Sequence, residues 1–282
     1  MADIMKHYTF NLVFILLVIT VFFACKKGND PVPINPLDGL TKLKDGYVTG
    51  ASAKIEIWGP KNFYVGYNKL FVVLYDSLNL QTRLTDAHIT FLPLMTMGMG
   101  ATLVQHASPV ENPDEMAVDG VFPGAVVFVM PTSMSGAWKL GVGVHNHKIN
   151  KEGEADFDIT VDNPATSVLS VFTSQSADST KLVLSLVKPT SPVVGMNDIE
   201  FTIHRKATMM DWPSDDSYTM EITPTMPSMG HGSPNNVNPV NTTMGHYKGK
   251  VNFTMTGEWR VDVLVKKDGA IISKNAYFNI TF

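Results

Sequence analysis

Along most of the chain, apolar residues recur at every second position rather than at the 3.6-residue spacing of a helix face. Trp138, Leu140, Val142 and Val144 alternate with Lys139, Gly141 and Gly143, and Trp259, Val261, Val263 and Val265 alternate with Arg260, Asp262 and Leu264. Side chains two apart share one face of a strand, so both runs read as half-buried β-strands. Ile55 with Ile57, Leu70 with Val72 and Leu74, Ile89 with Phe91, Val126 with Phe128, Ile199 with Phe201 and Ile203, Met220 with Ile222, and Val251 with Phe253 repeat the pattern. Many short strands punctuated by turn formers, without an amphipathic helix, predict an all-β chain of immunoglobulin-like antiparallel β-sandwiches. Trp138 and Trp259 are the expected core anchors.

The pattern occurs twice. Val65-Gly66-Tyr67-Asn68 recurs as Val194-Gly195-Met196-Asn197, His106-Ala107-Ser108-Pro109 as His231-Gly232-Ser233-Pro234, and Gly136-Ala137-Trp138 as Gly257-Glu258-Trp259. Phe157-Asp158-Ile159-Thr160-Val161 likewise returns as Phe278-Asn279-Ile280-Thr281-Phe282, and order is kept throughout. Two tandem domains are therefore expected, at 51–161 and 179–282, joined through 162–178, a linker holding an edge strand from Val168 to Phe172.

Lys6 precedes an apolar run, Phe10 to Phe23, that is too short to span a membrane as a helix and reads as a signal peptide over 1–24. It ends Val21-Phe22-Phe23-Ala24-Cys25, which resembles the lipobox of bacterial lipoproteins, where the Cys becomes the lipidated first residue. The resemblance implies a membrane anchor at Cys25, a Pro- and Gly-bearing tether over 25–50, and a location in the envelope of a bacterium, facing the periplasm or the cell surface. Cys25 is the only cysteine, which excludes a disulfide framework and any multi-cysteine metal site. A formal charge of −4 supplies no basic face for nucleic acid.

Methionine is abundant, at 16 residues, and the informative ones fall between strands. Pro224 to His246 contains Met226, Met229, His231, Met244 and His246 and not one Asp, Glu, Lys or Arg. Calcium and magnesium call for carboxylates and zinc for Cys or several His, whereas thioether with imidazole suits copper(I). If the segment is an extended loop, Met229 with His231 and Met244 with His246 form two convergent pairs that close one site. The first copy carries a thinner set for a second site, Met95, Met97, Met99 and His106, with Asp119 and Val121 at the positions of Met244 and His246. Met130, Met220 and Met255 fall in register with inward strand positions and read as packing. His88 and His204 read as outward-facing or strand-end residues, His145 and His147 as a hairpin end, and Glu111, Asp114 and Glu115 as a solvated acidic loop.

Met226-Pro227-Ser228-Met229-Gly230-His231, then Gly245-His246-Tyr247, then Gly257-Glu258-Trp259-Arg260-Val261-Asp262-Val263 resemble the YtkA-like domain, related to FixH-like proteins; the first copy matches more loosely. The resemblance implies a cell-envelope protein associated with copper handling. No GxSxG elbow, HExxH or phosphate-binding glycine loop is present, so no enzyme is expected. Two functions follow: a protein that buffers copper(I) or passes it on, with a copper donor or acceptor protein as partner, and, alternatively, a structural or partner-binding lipoprotein without metal, whose Met loops form a contact surface.

Overall fold

A computed structural model describes residues 35–99, 102–176 and 179–282; the signal peptide, Cys25 and the tether up to residue 34 lie outside the described residues. In chain order the first sandwich contains β1 (Thr41–Val48), β2 (Ala53–Gly59), β3 (Gly66–Asp76), β4 (Asn79–Leu84), β5 (Ala87–Met99), β6 (Thr102–Ala107), β7 (Val110–Glu111), β8 (Phe122–Phe128), β9 (Gly136–Asn146) and β10 (Lys151–Ile159). The second contains β11 (Leu169–Thr173), β12 (Lys181–Lys188), β13 (Gly195–Arg205), β14 (Thr219–Met226), β15 (His231–Gly232), β16 (Val237–Thr243), β17 (His246–Phe253), β18 (Glu258–Lys267) and β19 (Ala270–Thr281). Sheets β1-β2-β3-β8-β7 (with β4 beside β3) and β10-β9-β5-β6 enclose the first core; sheets β11-β12-β13-β17-β16 and β15-β14-β18-β19 enclose the second. Gly39–Phe282, and with it both sandwiches, forms one unit.

The two Trp residues occupy equivalent places. Trp138 donates its indole N–H to Met130 O (2.9 Å) and packs on Phe128; Trp259 donates to Met255 O (3.0 Å) and packs on Phe253. The repeated Val-Gly-x-Asn is a plug. The Asn68 amide bridges the backbone of Tyr64 and Gly66, and Asn197 bridges Val193 and Gly195. Gly66 (φ 124°) and Gly195 (φ 104°) take a conformation that side chains disfavour.

Several expectations are corrected. The tether does not run to residue 50, because Thr41–Val48 pairs with β2 and Lys42 reaches the Glu56 carboxylate at 3.1 Å. Its polar side chains hide an edge strand, whose outer face needs no apolar residues. The linker does hold the expected edge strand, at Leu169–Thr173, one residue further on than expected and paired with β12. Met255 is exposed, since β17 ends at Phe253 and the chain turns there.

The sandwiches meet face to face. The side of β12, β13 and β17 pointing away from the second core lies against β3, β7 and β8, with Tyr67, Ala125, Val127 and Val183 as an apolar patch. Beside that patch, Glu111, Glu200, Thr202, His204 and His246 form a polar seam. His204 therefore does face outward from its own sandwich, yet it is 1% exposed.

Candidate functional site

β14 leaves the second core at Met226 and turns back at once. Met229 N and Gly230 N both donate to Met226 O (3.1 and 3.0 Å), and Gly230 supplies the positive φ (66°) that closes the turn. The returning chain sets His231 directly across from Met226. His231 Nδ1 lies 3.0 Å from Gly232 O; a carbonyl only accepts, so Nδ1 carries the hydrogen and Nε2 is left with its lone pair. The ring stands edge-on to buried Trp259 at 5.8 Å. Met226 is 3% exposed, its methyl against the Gly257 backbone, and Met229 is 60% exposed. The hairpin thus carries two thioethers, one of them directly across from an imidazole, with no carboxylate in its sequence.

The first sandwich repeats this arrangement. Met95 lies across from His106, His106 Nδ1 is 3.2 Å from Ala107 O, and its ring stands edge-on to Trp138 at 5.6 Å. Met95 is buried against Gly136 and Met97 is partly buried. Met99 ends β5, and its side chain lies outside the described set.

Met244 and His246 are not brought to the hairpin, and the single site drawn from all five residues of Pro224 to His246 is corrected. That segment is no single loop: its second half is β16, then a two-residue turn at Met244-Gly245 (φ 53° and 74°), then β17. The turn sits at the entry of β14, where Gly245 N donates to Asp216 Oδ1 (2.6 Å) and Tyr218 N to the Tyr247 hydroxyl (3.0 Å). Met226 is at the exit, about 23 Å along the strand at roughly 3.3 Å per residue.

His246 does other work. Nδ1 donates to Glu200 Oε1 (2.8 Å) and Nε2 to Glu111 Oε1 (2.9 Å), from the other sandwich, while the Tyr67 ring stands edge-on at 5.9 Å. Burial works against a charge on His246, but the two carboxylates outweigh it and hold the pKa up at about 9. For Glu200, burial is likewise outweighed, by His246, Lys248 and Lys188, and its pKa falls to about 2. An imidazolium with both nitrogens engaged offers no lone pair to a metal. Glu111, expected in a solvated loop, is a member of this triad. One signal was available: the polar face of β12 and β13 carries Ser185, Thr202 and His204 where a solvated strand carries Lys and Glu.

Among the described residues no group of three or more His, Cys, Asp or Glu is placed to hold a metal ion.

Residues 176–264 match the family model described as YtkA-like. The YtkA-like stretch takes in the whole Met226–His231 hairpin and Trp259 and none of the first sandwich. No curated protein matches the chain. Among solved structures the chain is similar to invasin, titled a bacterial integrin-binding protein, at 13% identity over 86% of this chain and 38% of that one, with a TM-score of 0.26. It is also similar to the Escherichia coli adhesin FdeC (14%, 84% and 66%, TM-score 0.24) and to domains 5–6 of the S-layer protein SbsC (9%, 86% and 97%, TM-score 0.28). The chain spans less than two thirds of the invasin and FdeC chains. Likeness at this level carries no statement about activity or partner.

Proposed function

We propose that this is a non-catalytic, lipid-anchored cell-envelope protein that binds one copper(I) ion through Met226, Met229 and His231 of its YtkA-like sandwich. The observation that carries the reading is His231 Nε2, a lone pair held by the Nδ1 contact to Gly232 O directly across from a buried thioether. In this reading Met226 and His231 are the fixed donors. Met229, on the exposed turn, is the mobile one, through which the ion passes to or from a donor or acceptor protein. Soft donors favour the monovalent ion. Met95, Met97 and His106 form the second, covered set. Acyl chains on Cys25 hold the protein at a membrane of a bacterial envelope.

The test is anaerobic copper(I) titration against a competing chelator. The unmodified protein should take up one equivalent and a Met229→Ala/His231→Ala double variant should lose it with its fold intact. Unchanged uptake by the variant, or none by the unmodified protein, would leave the partner-binding sandwich as the better account. Cys25→Ser should move the protein out of the membrane fraction.

A further inference from the structure

One short connection joins the two sandwiches. Asp162 is fixed to the first, where its N–H donates to Phe63 O and its carbonyl accepts from Val65 N (2.9 Å each), and Val168 to the second, where its carbonyl accepts from Leu186 N (2.9 Å). Asn163-Pro164-Ala165-Thr166-Ser167, between these two points, belongs to no strand. The faces that meet are held lightly. Their apolar patch is Tyr67, Ala125, Val127 and Val183, where each core encloses several times as many side chains. Across it His246 Nε2 donates to Glu111 Oε1 and Ala107 N to Met209 O, both at 2.9 Å. Domains move relative to one another unless the interface between them is large and apolar.

Docking also covers polar atoms without giving them partners. Among the described residues, the buried side-chain nitrogens and oxygens that lack a hydrogen-bond partner belong to His106, Ser108, Ser185, Thr202, His204 and Trp212. Ser185 lies between core residues Leu184 and Leu186 on β12, and Thr202 and His204 alternate with Phe201 and Ile203 on β13, so all three point out of their own core toward the first sandwich. Trp212 packs on the apolar patch beside them. Thr202 is 0% exposed, and both ring nitrogens of His204 are unmet. An unmet buried donor or acceptor forfeits its hydration in the closed form, and water restores it once the faces part. The opposite faces of β12 and β13 stay packed in their own core whether the sandwiches touch or not.

We propose that the two sandwiches part and close as rigid bodies about residues 163–167, the closed form being latched by His246 between Glu200 of its own sandwich and Glu111 of the other. A small apolar patch set against the unmet atoms of Ser185, Thr202, His204 and Trp212 leaves the open form a minor but populated state, on the order of 0.1–10% of molecules. Opening hydrates the outward faces of β12 and β13 and leaves both cores intact. The inference does not rest on copper binding.

Two reporters, one on each sandwich, read the opening at pH 7 without denaturant. The first is His204, whose carbethoxylation by diethyl pyrocarbonate is followed by peptide mass spectrometry against exposed His88 of the same molecule. The second is the Ala107 N–H, whose bond crosses the interface, followed by NMR hydrogen exchange against the amides of β9 in the first core. His204 should react at about 0.001 to 0.1 of the His88 rate, and Ala107 should be protected about 10- to 1,000-fold, well short of β9. Ser185→Ala/Thr202→Val removes two unmet hydroxyls and touches neither core, so it should slow both reporters by one common factor, at least about tenfold. Glu111→Gln, which weakens the latch, should speed both. Reporters no faster than the β9 amides would overturn the proposal, since the interface would then open only on global unfolding. So would a double variant that leaves both rates unchanged, which would put bound water on those hydroxyls in a closed interface, or one that slows His204 alone, which would reduce the opening to fraying of β13.

Discussion

Raising the pH from 6.5 to 9.5 should loosen the seam between the sandwiches, because a buried positive charge holds it. His246 donates to Glu200 at 2.8 Å and to Glu111 at 2.9 Å; Tyr67 donates its hydroxyl to Glu111 at 2.8 Å, and Lys188 and Lys248 approach Glu200 at 3.3 and 3.4 Å. His204, in the same seam, is held neutral by burial, with its pKa down at about 4. The His246 pKa rises from an ordinary 6.5 to about 9 on folding, so its contribution is complete below 6.5 and is lost as the pH climbs through 9. Glu200 falls from 4.5 to about 2; its contribution is complete above 4.5 and is lost toward pH 2. The two shifts record one contact and count once. At about 1.4 kcal/mol per pKa unit the His246 difference is worth about 3 kcal/mol, trimmed toward about 2 kcal/mol by the solvent that reaches its 16% exposed side chain. Urea denaturation at the two pH values, read by tryptophan fluorescence, should show the unmodified protein losing about 2 to 3 kcal/mol at pH 9.5. His246→Gln should begin about 3 kcal/mol lower at pH 6.5, since two carboxylates then share a neutral partner, and should respond much less to pH. The same loss between the two pH values in both proteins would refute the assignment of the charge to His246.

Three further outcomes are expected. Met244→Asn should raise stability by about 1 kcal/mol, because Met244 sits at φ 53° in a two-residue turn that favours Asn before Gly; a lost copper equivalent in titration would return Met244 to the ligand set. Asn197→Ala removes three hydrogen bonds of the loop before β13 and should cost about 2 to 3 kcal/mol in thermal unfolding, as should Asn68→Ala in the first sandwich; a loss within about 0.5 kcal/mol, the range of ordinary surface changes, would show that the plug is dispensable. Gly257→Ala places a methyl at φ 128° and 2.8 Å from the Met226 methyl, so it should cost about 1 to 3 kcal/mol and weaken copper(I) affinity by displacing Met226; unchanged affinity would remove Met226 from the site.

The strands of both cores were legible in the chain itself, because alternation is a local property: Trp138 to Val144 and Trp259 to Val265 state which side of their strand is buried wherever that strand lies. The repeat was legible for a related reason. Val-Gly-x-Asn and Gly-x-Trp are needed by a backbone conformation and a core anchor that recur in each sandwich. That Met226, Met229 and His231 lie on one hairpin could also be read, since they are neighbours in the sequence. What lay beyond the sequence was every contact between faces. Whether Met226 meets His246 depends on which end of β14 each occupies, and β16, whose side chains are polar or exposed except at Pro239, left no alternation to reveal that the chain crosses the sandwich before reaching His246. Likewise an outward-facing strand position looks the same in sequence whether water or another sandwich covers it. Only the docking of β13 and β17 against β3, β7 and β8 buried His204, drew Glu111 out of its expected loop, and turned His246 from a free imidazole into the charge between two carboxylates.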